Sequence, residues 1–262
     1  MAYRSRWLKY VLWAISILVA LGIVLPLISM VLFSFSKKIE AIPTQWTTQW
    51  YTFNSSDVAG SVGASLVVAV PAVLIGLVVT LPLSFAMARR QFRGKAFIDQ
   101  VIVLPMLIPG TVLGFALVGL YNTGAVRDVI PPVAFLIAAH VVVVIPVLAR
   151  PLIAAIQQLN VSVEEASMSL GAPPLLTVIR ITLPSILPSL LVGAIFALAR
   201  SMTDFAITLL LVPIDFTPMA IRIYNSTSYS IPQLTSANSV ILLLLSLAIV
   251  GIAELVSRRA AK

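Results

Sequence analysis

Six long runs of apolar residues constrain this chain more than any other feature of its sequence. A helix needs about 20 apolar residues to cross the hydrocarbon core of a bilayer. Six segments reach or approach that length: 10–35, 62–88, 97–121, 131–150, 186–212 and 237–256. Of the 262 residues, 60% are hydrophobic and only 10% are charged, which is far from the balance of a soluble domain. The sequence predicts an all-α membrane protein with about six transmembrane helices in a single domain, residues 1–262.

The third segment contains LPMLIPG, in which Pro105, Pro109 and Gly110 lie close together. Proline removes a backbone donor, and its ring clashes with the preceding turn of a helix. Broken backbone at membrane depth is tolerated where it lines a cavity or packs against protein. The third transmembrane helix is therefore predicted to be kinked or broken here.

The distribution of Lys and Arg predicts the orientation of the spans. With the N-terminus in the cytoplasm, the cytoplasmic pieces contain twelve basic residues: Arg4, Arg6, Lys9, Arg89, Arg90, Arg93, Lys95, Arg150, Arg180, Arg258, Arg259 and Lys262. The outer pieces contain only four, which are Lys37, Lys38, Arg127 and Arg222. Cytoplasmic loops carry the excess of Lys and Arg, so both termini are predicted to be cytoplasmic. The net charge of +8 then reflects topology, and no nucleic-acid-binding motif accompanies it.

The sequence offers no catalytic or metal site. The absence of cysteine excludes disulfides, thiolate chemistry and cysteine metal sites. The only histidine, His140, lies in the fourth span without a set of further ligands, and a hydrogen bond between helices is its expected role. An intramembrane enzyme would need paired aspartates, a Ser–His dyad or an HExxH motif, and no such pattern is recognisable in the sequence.

The segment 151–184, PLIAAIQQLNVSVEEASMSLGAPPLLTVIRITLP, is too polar to span a membrane. Ser162 lies three residues before Glu165, the spacing of a capping box, so a short helix is predicted to start near Val163. Gly171 is placed to end that helix, and the prolines that follow prevent its continuation. A second short helix is predicted from about 175 to 182, before Pro184.

This helix–turn–helix segment is predicted to expose four apolar residues: Met168, Leu170, Leu175 and Leu176. Such residues are typical of a surface that another protein covers. An amphipathic loop lying on the bilayer would show the same pattern. The residues alone do not distinguish the two interpretations.

A family resemblance favours the protein contact. Glu165-Ala166-Ser167, then Gly171, then Ile181-x-Leu183-Pro184 resemble the EAA signature of permease subunits in binding-protein-dependent ABC importers, with Ser167 where a second Ala is usual. In that family this loop is the coupling helix that fits a groove on the ATPase subunit. The resemblance implies an ATPase-coupling role for eight residues: Glu164, Glu165, Ala166, Ser167, Gly171, Ile181, Leu183 and Pro184.

Two further stretches, TQWTTQWY (44–51) and RRQFRGKAF (89–97), are similar to the spermidine/putrescine-type permeases, the second subunit in particular. The resemblance implies the type I importer permease fold, with a cytoplasmic coupling helix between spans four and five. It also implies a multi-pass protein of the bacterial inner membrane, in contact with lipid. The expected partners are ABC ATPase subunits, a second and different permease chain, and an extracytoplasmic substrate-binding protein.

The chain has no ATP site of its own to drive transport. The only Gly-Lys pair, Gly94-Lys95, is followed by Ala96 and has Arg89 where a Walker A glycine would be. We therefore expect no cofactor in this chain, with ATP and Mg²⁺ bound by the partner subunit. A channel or secondary transporter works without an ATPase, and segment 151–184 would then serve no purpose.

Two opposite charges fall inside the fifth span, at Arg200 and Asp204. A charge at the bilayer centre costs about 2.5–3.5 kcal/mol on insertion scales, so it needs a partner or a cavity. The two residues are four apart and can pair with each other. Alternatively, one helix face lines the substrate pathway with Arg200, Ser201, Asp204 and Thr208.

The family resemblance leaves the substrate open. Asp204 lies where polyamine-type permeases are expected to meet a cation. ARSMTDF, however, is also similar to the ARxxGEF stretch of sulfate and molybdate permeases, in which a base faces an oxyanion. A polyamine-like organic cation is the first expectation, and an oxyanion, a phosphonate-type solute or ferric iron is the alternative.

Overall fold

The computed structural model describes residues 6–40, 42–53, 55–228 and 231–260, and within them the regular structure is helical apart from an isolated bridge between Ser36 and Trp46. Arg4 and Lys262 lie outside these ranges. In chain order the helices are α1 (Arg6–Ser34), α2 (Gln49–Thr52), α3 (Ser55–Arg89), α4 (Lys95–Leu107), α5 (Gly110–Tyr121), α6 (Pro132–Gln158), α7 (Val161–Ser169), α8 (Pro174–Thr177), α9 (Leu183–Met202), α10 (Ala206–Leu211), α11 (Met219–Ser228) and α12 (Pro232–Ala260). A π-helical turn, Val178–Thr182, joins α8 to α9.

The predicted number of membrane spans is confirmed. Among the residues that the structure describes, five helices are long and apolar enough to cross a membrane, and α4 with α5 forms a sixth candidate that is bent by 103°. The bend lies at the LPMLIPG stretch, where α4 ends at Leu107 and α5 begins at Gly110. The predicted break in the third span is therefore confirmed.

The predicted bounds of the fourth and fifth spans are wrong. Helix α6 continues past 150 to Gln158, and the fifth candidate span runs over Pro174–Met202 instead of 186–212. The chain leaves the helix at residues 203–205 because the carboxylate of Asp204 accepts the N–H of Ile207 at 3.0 Å and starts α10 as a separate helix.

The chain divides into two compact units. The first comprises Met1–Val58 and Arg222–Leu243. In it, Tyr51 donates a hydrogen bond from its hydroxyl to Ser34 Oγ at 2.6 Å, and the indole of Trp50 donates to the carbonyl of Ser36 at 2.8 Å. These bonds hold the segment after α1 against the end of that helix.

The second unit comprises Ala59–Ile221 and Leu244–Lys262, and its central helix is α6. Leu136, Val144, Leu148 and Leu152 of α6 have no exposed surface, as expected for a helix surrounded by others. Their neighbours come from α3, α5, α9 and α10. The candidate site residues all belong to this unit. The single domain predicted over 1–262 stays a prediction.

Candidate functional site

Residues 160–182, which we name the docking unit, form the helix–turn–helix segment predicted from the sequence. Its first helix, α7, begins at Val161 because Asn160 is the N-cap: the side-chain oxygen of Asn160 accepts the N–H of Ser162 at 3.0 Å. The predicted capping box of Ser162 and Glu165 is therefore wrong. Asn is as good an N-cap as Ser, and it starts the helix two residues earlier than predicted.

Gly171 ends α7, as predicted. Its φ of +90° is in the left-handed region. The N–H of Gly171 donates to the carbonyl of Met168 at 2.9 Å, and the N–H of Ala172 donates to the carbonyl of Ser167 at 3.2 Å. This pair of bonds is a Schellman motif. The sharp turn it makes sends the chain directly into Pro173 and α8.

The second helix of the docking unit is not separate from the membrane span, which corrects the prediction of a short helix ending before Pro184. Helix α8 passes through the π turn into α9, so Ile181, Leu183 and Pro184 lie where the docking unit joins that helix. In a regular turn the ring of Pro184 would clash with the carbonyl of Arg180. The π turn is wider there and accommodates it.

The docking unit presents apolar side chains on its surface. Leu170 is 90% exposed and Leu175 is 71% exposed. Met168, Glu165 and Ala166 are exposed too. These exposures agree with the predicted contact surface, except that Leu176 is half-buried rather than exposed.

Glu164 and Ser167 turn inward and hold the docking unit together. Glu164 Oε1 accepts hydrogen bonds from Arg89 Nη2 at 3.1 Å and from the Thr182 hydroxyl at 3.0 Å. Ser167 Oγ lies 3.1 Å from Thr177 Oγ1 and joins α7 to α8. Arg89, Thr177 and Thr182 are contacts that the sequence analysis missed. Among these three residues, only Arg89 had a signal in the sequence, which was its basic side chain at the end of α3.

The predicted pair of Arg200 and Asp204 forms, although not on one continuous helix. Arg200 Nη1 donates to Asp204 Oδ2 at 2.8 Å. Arg200 belongs to the last turn of α9, whereas Asp204 lies in the break before α10. The Asp204 side chain is 4% exposed and that of Arg200 is 44% exposed, so the acid is enclosed while its partner reaches the surface.

His140 joins the residues on either side of the break. Its Nδ1 lies 2.7 Å from Ser201 Oγ, and its Nε2 lies 3.1 Å from Thr208 Oγ1. The Thr208 hydroxyl proton goes to the carbonyl of Asp204 at 2.7 Å, so Thr208 accepts from Nε2–H. Nδ1 of a neutral ring then accepts from the Ser201 hydroxyl. The hydrogen-bonding role predicted for His140 is confirmed.

These residues meet at a small cavity. It is bounded by Ser65, Val68, His140, Ser201, Met202, Asp204, Thr208 and Pro218. The structure thus brings Ser201, Asp204 and Thr208 together and leaves Arg200 outside the lining, and the role of these residues in the substrate pathway stays a prediction. The volume of about 10 Å³ is near the minimum for one water molecule. The cavity is therefore too small to hold a larger solute in this conformation.

Comparison with known proteins agrees with the predicted family. Residues 80–262 match the sequence profile of the family described as binding-protein-dependent transport system inner membrane component. The putrescine transport system permease protein PotI of Escherichia coli K12 is 28% identical over 225 residues, covering 83% of this chain and 80% of PotI. The spermidine/putrescine permease PotC of the same organism is 24% identical over 239 residues, 89% of each chain.

A relative with a different cargo also matches. The molybdenum transport system permease protein ModB of Haemophilus influenzae is 29% identical over 159 residues, covering 57% of this chain and 69% of ModB.

Solved structures share the fold. A chain of a bacterial ABC transporter that imports the acidic polysaccharide alginate matches with a TM-score of 0.77 and 19% identity, covering 98% of this chain and 96% of its own. A chain of the inward-facing MetNI methionine ABC transporter matches with a TM-score of 0.62 and 19% identity, covering 82% of this chain and 100% of its own. The predicted type I importer permease fold is confirmed.

Proposed function

The chain belongs to the family of binding-protein-dependent transport system inner membrane components, and we propose that it forms half of the pathway by which an ATP-driven importer moves a polyamine-like cation. The observation that carries this proposal is the docking unit. A tight turn at Gly171 presents Leu170 and Leu175 on a unit that is continuous with a membrane-spanning helix. A partner that covers these side chains can move that helix.

The partner would be an ABC ATPase, which binds ATP and Mg²⁺ and hydrolyses the nucleotide. A groove on the ATPase would cover the exposed apolar residues of the docking unit, with Glu165 as a polar contact at its edge. Closure of the ATPase would then tilt α9 through α8 and the π turn. Alternating access by rocking helix bundles around a midplane site follows from such a tilt.

Six spans form only half of a pathway in this proposal. A second, different permease chain would complete it, and an extracytoplasmic binding protein would deliver the solute. The solved alginate transporter in complex with its periplasmic protein is an example of such an assembly. The docking unit and both termini would face the cytoplasm, as the distribution of basic residues indicates.

Asp204 is the residue that we propose meets the cargo. The putrescine and spermidine/putrescine relatives support a cationic amine. Asp204 is enclosed and its Oδ2 is already bonded to the guanidinium of Arg200. Without cargo, the guanidinium of Arg200 would occupy the position of the cation beside Asp204. A protonated amine would replace it when the cavity widens. Because Arg200 is half-exposed, its own charge stays in contact with solvent when it swings away, and the incoming amine would then pair with the buried carboxylate of Asp204.

An oxyanion is the second candidate cargo. The guanidinium of Arg200 is 44% exposed, and the relative ModB transports molybdenum. In this alternative the arginine binds the solute, and Asp204 only holds it in place. A phosphonate-type solute would use the same group, while ferric iron would be a cationic alternative at Asp204.

Reconstitution would test the proposal. The chain is assembled with its ATPase, second permease and binding protein in proteoliposomes, and uptake of radiolabelled putrescine and molybdate is measured with and without ATP. ATP-dependent uptake of putrescine is expected. Uptake of molybdate alone would favour the second candidate, and uptake by the chain without any ATPase would contradict an ATP-driven importer.

A further inference from the structure

Arg89, the last residue of α3, reaches the docking unit from a distant part of the chain. Its Nη2 donates to Glu164 Oε1 at 3.1 Å, across a separation of 75 residues in sequence. Both guanidinium Nη atoms also lie 3.4 Å from the carbonyl of Leu159, at the end of α6. One side chain therefore connects the end of α3 to the junction of α6 and α7.

The carboxylate that Arg89 binds has a second partner on the opposite side. Glu164 Oε1 accepts from the Thr182 hydroxyl at 3.0 Å, and Thr182 belongs to the π turn that leads into α9. The side chains of Arg89 and Glu164 are 20% and 17% exposed. An ion pair in such a half-enclosed position is screened less by salt than a surface pair. Arg89 and Glu164 together thus link the ends of α3 and α6 to the start of α9.

Helix α3 also lines the small cavity beside Asp204. Ser65 on α3 lines that cavity together with Ser201 and Asp204, and its Oγ accepts the N–H of Met219 at 2.8 Å. Arg89 and Ser65 lie on the same helix, about 36 Å apart along its axis. Motion of the docking unit can therefore reach the cavity through α3 as well as through α9.

We propose that Arg89 is a positioning residue that makes α3 move as one body with the docking unit when the ATPase acts. The proposal rests on the proposed function, because it concerns how docking at α7 is transmitted. Without the Arg89–Glu164 contact, α7 would still follow α9 through the chain. Helix α7 would then move relative to α3, and the side of the cavity that α3 lines would not move with the docking unit.

A distance measurement tests this directly and does not depend on the cargo. The chain has no cysteine, so nitroxide labels at Ala86→Cys on α3 and Ser169→Cys on α7 have no background. In the assembled complex, the distance between the labels should be the same with and without trapped ATP. Arg89→Ala should broaden the distribution and make it respond to ATP, and Arg89→Glu with Glu164→Arg should restore it.

Arg150→Ala is the matched control, because Arg150 forms an ion pair with Asp99 at 2.9 Å that does not involve the docking unit. It should leave the distances unchanged. A wild-type distance that changes with ATP, or an Arg89→Ala distribution equal to that of the wild type, would overturn the proposal. If the double variant does not assemble, the comparison of Arg89→Ala with Arg150→Ala still decides.

Transport supplies the second measurement. Putrescine uptake per ATP hydrolysed should fall about fivefold to tenfold in Arg89→Ala, a common size for coupling between sites, while the ATPase copurifies at the wild-type level. Wild-type putrescine uptake in Arg89→Ala would contradict the proposed role of Arg89 without contradicting the proposed cargo. Absence of putrescine uptake in the wild-type complex would contradict the proposed cargo and leave the distance result to decide the role of Arg89.

Discussion

The Nδ1 atom of His140 on α6 lies 2.7 Å from the hydroxyl oxygen of Ser201 on α9. The same ring bonds Thr208 on α10 at 3.1 Å. A single side chain thus bridges the helix that ends before residues 203–205 and the helix that begins after them. This break carries Asp204, so His140 fixes the position of the acid from the opposite side.

Replacing His140 by Phe should destabilise this region. The change removes both hydrogen bonds of the ring and leaves the Ser201 hydroxyl buried beside an apolar group, a loss of about 1–3 kcal/mol. Thermal unfolding of the purified chain in detergent measures it. His140→Gln retains a donor and an acceptor and should lose less. Equal stability of the Phe and Gln variants would show that the bonds do not matter.

Asp204→Asn and Arg200→Gln should have different effects on uptake if the site binds an amine. Asn keeps an oxygen for the N–H of Ile207 but loses the charge, so putrescine uptake should fall by about tenfold or more, the loss expected for a removed charge-assisted bond. Arg200→Gln should reduce putrescine uptake much less. The opposite order, with molybdate as the cargo, would identify Arg200 as the binding group. Unimpaired uptake in both variants would assign the pair a structural role.

Gly171→Asp should leave membrane insertion intact and uncouple transport from ATP hydrolysis. The φ of +90° strains a residue with a Cβ by about 1–2 kcal/mol, and the turn that orients α7 against α8 would deform. The measurements are uptake and ATPase activity of the reconstituted complex. Gly124→Ala is the control, because its φ of +71° lies in the turn between α5 and α6, outside the docking unit. Transport at the wild-type rate in Gly171→Asp would refute the coupling role.

Leu170→Glu should abolish copurification of the ATPase without lowering the stability of the chain. The side chain is 90% exposed, so a charge there has little desolvation cost until a partner covers it. Val129→Glu is the control, since Val129 is 78% exposed in the turn between α5 and α6. A complex that forms normally with Leu170→Glu would show that the ATPase docks elsewhere.

The sequence predicted the features that depend on neighbouring residues. The break at Pro109 and the turn at Gly171 follow from backbone rules that hold within a few residues. The Arg200–Asp204 ion pair was predictable from the spacing of four residues. The end of α9 at Met202, between these two residues, was not predictable from the sequence. Asn160 was overlooked because Ser162 offered a competing cap signal at the right spacing.

Contacts that depend on tertiary packing could not be predicted in this way. Arg89 and Glu164 are 75 residues apart, and no local pattern selects one arginine among the basic residues at the end of α3. His140 was recognised as a hydrogen-bonding residue, but its partners were not. Ser201 and Thr208 approach it only because α9 and α10 pack against α6.

The continuity of α8, the π turn and α9 sets a rotational phase between two distant surfaces. Leu175 is exposed on the docking unit, and Ser201, at the other end of the same continuous helix, faces the cavity. Each residue of a helix adds about 100° of rotation. Inserting or deleting one residue between Thr177 and Leu183 would therefore turn one surface away from its partner while the other stayed in place. The number of residues in this stretch is therefore as constrained as their identity. Chimeric proteins that join two permeases within it would have to keep that number unchanged.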